Sequence, residues 1–408
     1  MSAGMGIYHD EMEVSYAVDF GRDREPTQNR SRHPEYRRKG SAPARVNGMH
    51  CRRNKRWTWG SGRGARMQNV RAFAGCLAFA VASLAASVFA APVNINFGTV
   101  GNPGNTGNGA SSPSGLGAVS QVFKMATTET TNAQYVAFLN AVDPNGTNPS
   151  SIFNASMRTN NLGGITNTGT VPGAIYSVKA GAPSGAPGGT SYGSMPVNFV
   201  TWFSAARFVN WLNNGQVSGT AAMETGAYTL NGVTSGPIAA RNPGAQVFLP
   251  SQNEWYKAAF YNGSSYTTYA TNSNTAPTPT VSNVSLANAG NFASVGTTPI
   301  NVGSYVNSAS AYNLYDMLGN VGEMTDTAGA GSNFVQVGGG FAGILTAWTA
   351  TSAQAFRLSD TVNASNGFRV AAVPEPGTIA LAGMGIAGLA GLDWMKRRKK
   401  RMAARQAA

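Results

Sequence analysis

Residues 311–326 read AYNLYDMLGNVGEMTD, and this stretch, taken with the segments around it, constrains the fold most strongly. Five further segments stand out by their aromatic and apolar content: FKMATTETTNAQYVAFLNAV at 123–142, MPVNFVTWFSAARFVNWLN at 195–213, FLPSQNEWYKAAFYNG at 248–263, VQVGGGF at 335–341 and GFRVA at 367–371. The chain between them is dense in Gly, Asn, Ser and Thr. That composition is typical of an exported domain with many ordered turns and few long elements.

Three of these segments predict helices. Thr131-x-x-Gln134 has the spacing of a capping box, and the apolar residues after it share one helical face. Trp202 to Asn213 carries apolar residues at helical spacing. Ser251-x-x-Glu254 forms a second capping box, and Asn262-Gly263 predicts the end of that helix.

Short apolar pieces predict strands at Gln121–Ala126, Val197–Val200, Gln246–Leu249, Val335–Val337 and Gly367–Ala372. Helices and short strands interleaved with long irregular loops indicate an α+β fold rather than a doubly wound sheet. No Gly motif of the phosphate-binding kind lies between a strand and a helix. Residues 98–117, rich in Gly, Asn and Ser, predict a flexible linker or loop.

In sequence order, the segments resemble the blocks of the formylglycine-generating enzyme family, also called sulfatase-modifying factor domains. The resemblance implies a domain at 121–373 with an irregular variant of the C-type lectin fold and little regular secondary structure. A strand and a Gly/Asn/Ser-rich linker at 91–120 are expected before it.

The charge of the chain is concentrated at its ends. The formal net charge is +13, but residues 91–373 contain 8 Lys/Arg and 8 Asp/Glu. A neutral body cannot bind a phosphate backbone by counterion release, so nucleic acid is excluded as a partner.

Reactive side chains are missing from the same body. Cys51, Cys76 and the three histidines all precede Ala91. Residues 91–373 therefore lack thiolate nucleophiles, imidazole bases and the usual ligands of zinc, copper and iron.

The resemblance makes this absence informative. Oxidases of the family convert a substrate cysteine to formylglycine with two cysteines that hold copper. The block Gly338-Gly339-Gly340-Phe341 places the equivalent positions at about Gly343 and Trp348. A related branch of the family binds iron through three histidines. No copper or iron site is expected here.

A calcium loop of the family is the one ligand set that matches. The resemblance implies carboxylate oxygens from Asp316 and Glu323 and main-chain carbonyls from Gly319 and Val321, a mixed oxygen set that suits Ca²⁺. The alternative is that Asp316 caps a turn and Glu323 pairs with Arg369 or another cation.

A second family calcium site would begin at Asn288 with the carbonyl of Ala289, although its later carboxylate has no clear match.

The N-terminal part predicts export. Arg71 followed by the apolar run 72–88 and by Val88-Phe89-Ala90 is typical of a signal peptide at 67–90, with cleavage after Ala90. An uncleaved anchor helix is the alternative. Residues 1–66 are charged and without hydrophobic period, which indicates a disordered extension; the other hypothesis is that translation begins at Met67 or Met49.

The C-terminal part predicts sorting. Pro374, Glu375 and Pro376 form an extended segment. An apolar helix at 378–395 follows, and the cluster Lys396, Arg397, Arg398, Lys399, Lys400 and Arg401 acts as a cytoplasmic stop. Residues 374–401 resemble the PEP-CTERM sorting signal, whose family tails are cleaved by an exosortase. A plain membrane anchor is the alternative.

Three functions are compatible with these features. The first is a non-catalytic protein, delivered by the export machinery and an exosortase to the cell surface or extracellular matrix, where it binds polysaccharide or another surface component. The second is an extracytoplasmic formylglycine-generating oxidase acting on a protein cysteine. The third is a hydrolase using Asp316, Glu323 or Asp326, which only the presence of carboxylates favours.

Overall fold

The structure is a computed structural model that describes residues 92–343, 348–352 and 354–374. The predicted extension 1–66, signal peptide 67–90, apolar helix 378–395 and basic cluster 396–401 lie outside these residues, and of the Pro-Glu-Pro motif only Pro374 lies inside them. No helix in the described ranges is long and apolar enough to cross a membrane.

Helices make up a small part of the described chain. The α-helices are α1 (Asn132–Val142), α2 (Ala155–Thr159), α3 (Trp202–Asn213), α4 (Ala221–Glu224) and α5 (Gln252–Phe260). Two short 3-10 helices span Pro149–Ser151 and Tyr192–Ser194.

The local sequence signals explain where the long helices begin. The Thr131 hydroxyl accepts a hydrogen bond from the Gln134 backbone N–H, and the Gln134 side chain accepts one from the Thr131 N–H, which closes the predicted capping box of α1. Ser251 and Glu254 do the same for α5. All three helix predictions are confirmed, although α5 ends at Phe260, before the predicted Asn262-Gly263.

The strands are short: β1 (Phe97–Val100), β2 (Phe123–Ala126), β3 (Ile165–Thr166), β4 (Ser177–Val178), β5 (Val247–Phe248), β6 (Thr278–Pro279), β7 (Ala289–Gly290), β8 (Gly322–Ala328), β9 (Asn333–Val337), β10 (Ala355–Leu358), β11 (Asn366–Gly367) and β12 (Ala371–Ala372). One antiparallel sheet has the order β1-β2-β12-β5. A second has the order β10-β9-β8-β11, with β11 parallel to β8. Two further sheets pair β3 with β4 and β6 with β7.

Most predicted strands are confirmed with shifted bounds. The pieces at 121–126 and 246–249 contain β2 and β5, the piece at 335–337 lies within β9, and the piece at 367–372 covers β12 and the second residue of β11. The strand predicted at Val197–Val200 is wrong: the Phe199 backbone has a φ of 56°, which interrupts an extended conformation. The apolar side chains that suggested a strand there are buried in an irregular segment.

Two apolar clusters flank the site described below. The first packs α1 against α3 through Tyr135, Phe138, Phe208 and Trp211. The second surrounds α5 and includes Trp255. Strands β11 and β12 belong to different sheets and are joined by residues 368–370, so the short connection carries the buried Arg369 between the sheets.

Candidate functional site

The segment that precedes β8 is held by backbone contacts. Asp316, Gly319 and Asn320 all have positive φ angles, so the chain changes direction sharply here. The Asn320 N–H donates to the Asn291 carbonyl at 2.8 Å, and the Asn320 carbonyl accepts from the Phe341 N–H at 2.9 Å. The Asn320 side chain also accepts from the Ile300 N–H at 2.9 Å. These bonds fix the two carboxylates of the predicted calcium loop relative to the sheets.

Glu323 forms a buried ion pair with Arg369. The Arg369 Nε lies 2.5 Å from Glu323 Oε2 and its Nη2 lies 2.6 Å from Oε1, while both side chains are 0% exposed. Trp255 Nε1 donates to Glu323 Oε2 at 2.8 Å. Both oxygens of this carboxylate are therefore used by protein donors, as in the alternative interpretation of the calcium loop.

Asp316 and Glu129 form a second buried acidic pair beside this ion pair. Asp316 Oδ2 accepts from the Gly303 N–H, whereas Asp316 Oδ1 and both Glu129 oxygens have no donor among the described residues. Burial raises the pKa of Glu129 well above its ordinary value, and the charge of Asp316 raises it further. Burial also raises the pKa of Asp316, to about 6. A proton on Glu129 lets it donate to Asp316, which removes one of the two buried charges.

One carboxylate of the predicted calcium set, that of Glu323, is already paired with a cationic side chain. Burial alone would lower the pKa of Arg369, but Glu323, Glu129 and Asp316 raise it above its ordinary value. The guanidinium thus already supplies the positive charge that Ca²⁺ would bring. In the described ranges no three Asp, Glu, His or Cys side chains are placed to hold a metal ion. Calcium binding at Asp316, Gly319, Val321 and Glu323 stays a prediction.

The weaker calcium set lies in a different turn. Asn288 Oδ1 accepts from Thr271 Oγ1 at 2.6 Å, and Asn288 Nδ2 donates to the Thr275 carbonyl at 3.0 Å. The Ala289 N–H donates to Ser308 Oγ at 2.8 Å. The Asn288 side chain thus closes the 271–276 turn, and calcium at Asn288 and Ala289 also stays a prediction.

Chelation tests both calcium sets. Because Glu323 is paired with Arg369 and the Asn288 side chain is hydrogen-bonded to Thr271 and Thr275, EDTA is expected to leave the thermal unfolding temperature of the protein unchanged. A ligand that binds only the folded state would raise that temperature, and the rise would grow with the ratio of the free ligand concentration to its Kd. A clear rise on adding CaCl₂ to the chelated protein would instead support the sequence-based calcium prediction.

The two positions where the family's cysteines are expected lie in contact. A Cβ atom on Gly343 would lie 2.8 Å from Trp348 Nε1, and one on Gly339 would lie 2.5 Å from the same atom. Trp348 is largely buried and packs with the cluster around Trp255. The indole of Trp348 therefore occupies the space beside Gly343 that a second side chain would need.

Asp326, the remaining carboxylate of the hydrolase hypothesis, is paired with Arg241, which also binds Glu254. Arg241 Nε lies 2.6 Å from Asp326 Oδ2, and its Nη2 lies 2.7 Å from Glu254 Oε2. The Tyr228 hydroxyl donates to Asp326 Oδ2 at 3.2 Å. Burial raises the pKa of Asp326 despite the nearby guanidinium. Arg241 was not predicted as a site residue, because nothing in its loop sequence signals these partners.

Comparisons with known proteins agree with the sequence blocks. Residues 86–373 match the family model described as sulfatase-modifying factor enzyme 1-like domain. Residues 372–399 match the PEP-CTERM protein-sorting motif. No curated protein matches the chain.

Three solved structures match the chain with low sequence identity and low TM-scores. Treponema denticola variable protein 1 is 19% identical, with a TM-score of 0.45 over 69% of this chain and 96% of that one. CarF is 21% identical, with a TM-score of 0.42 over 69% and 99%. PvdO from Pseudomonas aeruginosa is 15% identical, with a TM-score of 0.33 over 69% and 93%.

The family model covers well over half of the 408 residues and contains every helix and strand described above. The sorting motif begins where it ends. The chain belongs to the family of the sulfatase-modifying factor enzyme 1-like domain, and it carries a PEP-CTERM sorting motif at its C-terminal end.

Proposed function

We propose that this chain is an exported surface or matrix protein whose sulfatase-modifying-factor-type domain binds a surface component and does not oxidise cysteine. The observation that carries the proposal is the side-chain content of the body: residues 91–373 contain no Cys and no His. Thiolates are the ligands that hold Cu(I), and this body has none to offer. The position expected for the second cysteine is occupied by the buried indole of Trp348.

The sorting motif supports the proposal that the protein acts at the cell surface or in the extracellular matrix. A PEP-CTERM motif marks a chain for exosortase-mediated processing of a membrane-anchored precursor. We propose that the processed chain is then delivered to the cell surface or the extracellular matrix. Intact-mass analysis of the form recovered from the cell surface tests it, because a mature protein should begin near Ala91 and end near the Pro374-Glu375-Pro376 motif.

A cysteine-oxidation assay tests the absence of catalysis. The purified chain is incubated with copper and a sulfatase-derived cysteine peptide, and no formylglycine is expected, because no thiolate is available to bind Cu(I) in the body. Replacing Cys51 and Cys76 by serine removes the other thiols of the chain. Turnover in this background would overturn the proposal and support the alternative function, a formylglycine-generating oxidase.

A designed pair of cysteines provides the matched positive control. In the same background, Gly343→Cys with Trp348→Cys removes the indole that blocks position 343 and places two thiols at neighbouring positions. The double variant is expected to gain Cu(I) binding in a competition with bathocuproine, while either single variant binds more weakly. A double variant without copper binding would contradict the placement of the missing cysteine pair.

A further inference from the structure

Three half-buried tyrosines gather on one surface of the domain. The rings of Tyr261 and Tyr266 lie 5.0 Å apart at an angle of 53°. Tyr312 comes from a distant part of the chain, and its hydroxyl donates to Asn102 Oδ1 at 3.1 Å. The same Asn102 side chain lies 3.7 Å from the Cβ position of Gly263, which brings Tyr312 to the turn that carries the other two tyrosines. We call this group the tyrosine surface.

Amide side chains from the 101–105 loop hold the rings in place. Asn105 Nδ2 donates to the Tyr266 hydroxyl at 2.7 Å. Lys257 Nζ donates to the Asn102 carbonyl at 2.7 Å and so fixes the loop. Gly263 has a φ of 98°, a backbone conformation that favours glycine, and the 261–266 turn runs beside Asn102. Three chain segments therefore build the tyrosine surface before any ligand is bound.

Several polar groups of this surface remain available. Within the described ranges, the Tyr261 hydroxyl and the amide Nδ2 groups of Asn102 and Asn262 have no protein acceptor. Asn102 and Asn262 are exposed, and the tyrosines are partly exposed. Rigid tyrosines with adjacent amides offer apolar contact area and hydrogen bonds at a low cost in conformational entropy.

The charge of the surface selects among ligands. Lys257 is the charged residue among these contacts, and its side chain is fully buried. Among the described residues that build the tyrosine surface, an anionic polymer would meet no exposed cation. A neutral sugar ring suits the surface better, because its C–H face can lie on an aromatic ring while its hydroxyls bond to amides and phenols at the edge.

We infer that the tyrosine surface binds a short segment of a neutral polysaccharide. This inference rests on the proposed function, because it names the ligand class and the place of binding for a domain that works by binding.

Affinity electrophoresis of the purified full chain in mild detergent tests the inference. Gels contain a neutral polysaccharide, such as dextran, laminarin or galactomannan, or the anionic polymer alginate. The chain is expected to be retarded by at least one neutral polymer and not by alginate. Tyr261→Ala with Tyr312→Ala should weaken that binding about tenfold or more, since aromatic anchors carry most of the energy of such contacts.

Two matched variants keep the test independent of folding. Asn102→Gly removes the free amide at a residue whose φ of 54° suits glycine, and it should also weaken retardation. Tyr269→Ala removes a half-buried tyrosine without ring contacts to the tyrosine surface and should leave retardation unchanged. Binding to alginate alone, or no binding to any neutral polymer, would overturn the inference. Retardation that survives both tyrosine changes would place the site elsewhere while leaving the proposed absence of catalysis untouched.

Discussion

Replacing Arg369 by methionine is expected to lower the free energy of unfolding by about 3–5 kcal/mol, the usual cost of leaving buried charges without their partner. Arg369 lies within bonding distance of both Glu323 oxygens and also donates to the Ala126 and Tyr315 carbonyls. Without it, a fully buried Glu323 keeps the Trp255 indole as its one donor within the part of the chain that the structure describes. Urea unfolding followed by tryptophan fluorescence measures the loss.

Arg357→Met is the matched control. Arg357 lies on the edge strand β10, is exposed, and donates to Gln336 Oε1 at 3.0 Å. Its removal is expected to change stability by about 0.5 kcal/mol or less, as for most surface substitutions. An equal loss in the two variants would mean that the buried ion pair does not stabilise the domain.

The same variant also tests calcium. Methionine removes the guanidinium charge but leaves Glu129, Asp316 and Glu323 in place. If CaCl₂ restored the stability of Arg369→Met and had no effect on the natural chain, the guanidinium of Arg369 would be taking the place of a calcium ion beside these carboxylates. If calcium stabilised neither protein, the loop would be structural.

Local signals in the sequence predicted the helices well. A capping box uses residues three positions apart, so Thr131 with Gln134 and Ser251 with Glu254 can be recognised without any knowledge of the fold. The prediction of a strand at Val197–Val200 was wrong because contacts with distant parts of the chain determine the backbone there. Its N–H groups bond to the Thr130 and Asn363 carbonyls, far away in the sequence, and the tertiary contacts set a backbone that propensity alone does not indicate.

The composition of residues 98–117 predicted a flexible linker or loop. In the structure this segment contacts β2 and the cluster around α5. β1 pairs with β2 in the first sheet, and Leu116 is buried in the cluster around α5. Asn108 donates to the Tyr256 hydroxyl at 2.7 Å. Gly and Asn are as frequent in ordered turns as in linkers, so composition could not separate the two cases.

The chemistry of the site was predictable by residue type and only partly by partner. The missing cysteines and histidines can be read from the sequence directly. The pairing of Arg241 with Asp326 joins residues 85 positions apart, and the tyrosine surface joins Tyr312 to Asn102 across 210 positions. Such contacts depend on which loops meet, and no local pattern carries that information.

Gly319→Ala is expected to destabilise the domain by about 3 kcal/mol or more, from backbone strain combined with overpacking. Gly319 has a φ of 86°, and a Cβ there would lie 2.1 Å from the Asn291 carbonyl oxygen and 2.7 Å from the carbonyl carbon. The group that the new Cβ would meet is the main-chain carbonyl of Asn291. This residue is fully buried, so the carbonyl cannot rotate away as a side chain would. Moving it would also break the bond from the Asn320 N–H to that carbonyl.

Gly331→Ala separates the two contributions. Gly331 has a φ of 63° and open space around its Cβ position, so alanine there brings strain without a clash and should cost about 1–2 kcal/mol. Equal losses at the two positions would show that the chain around Asn291 relaxes without cost.

The comparison also bears on calcium, because alanine keeps the main-chain carbonyl that the predicted loop would use at position 319. A large loss that calcium does not reverse would assign Gly319 to the close approach of two backbone segments and leave its carbonyl without a ligand role.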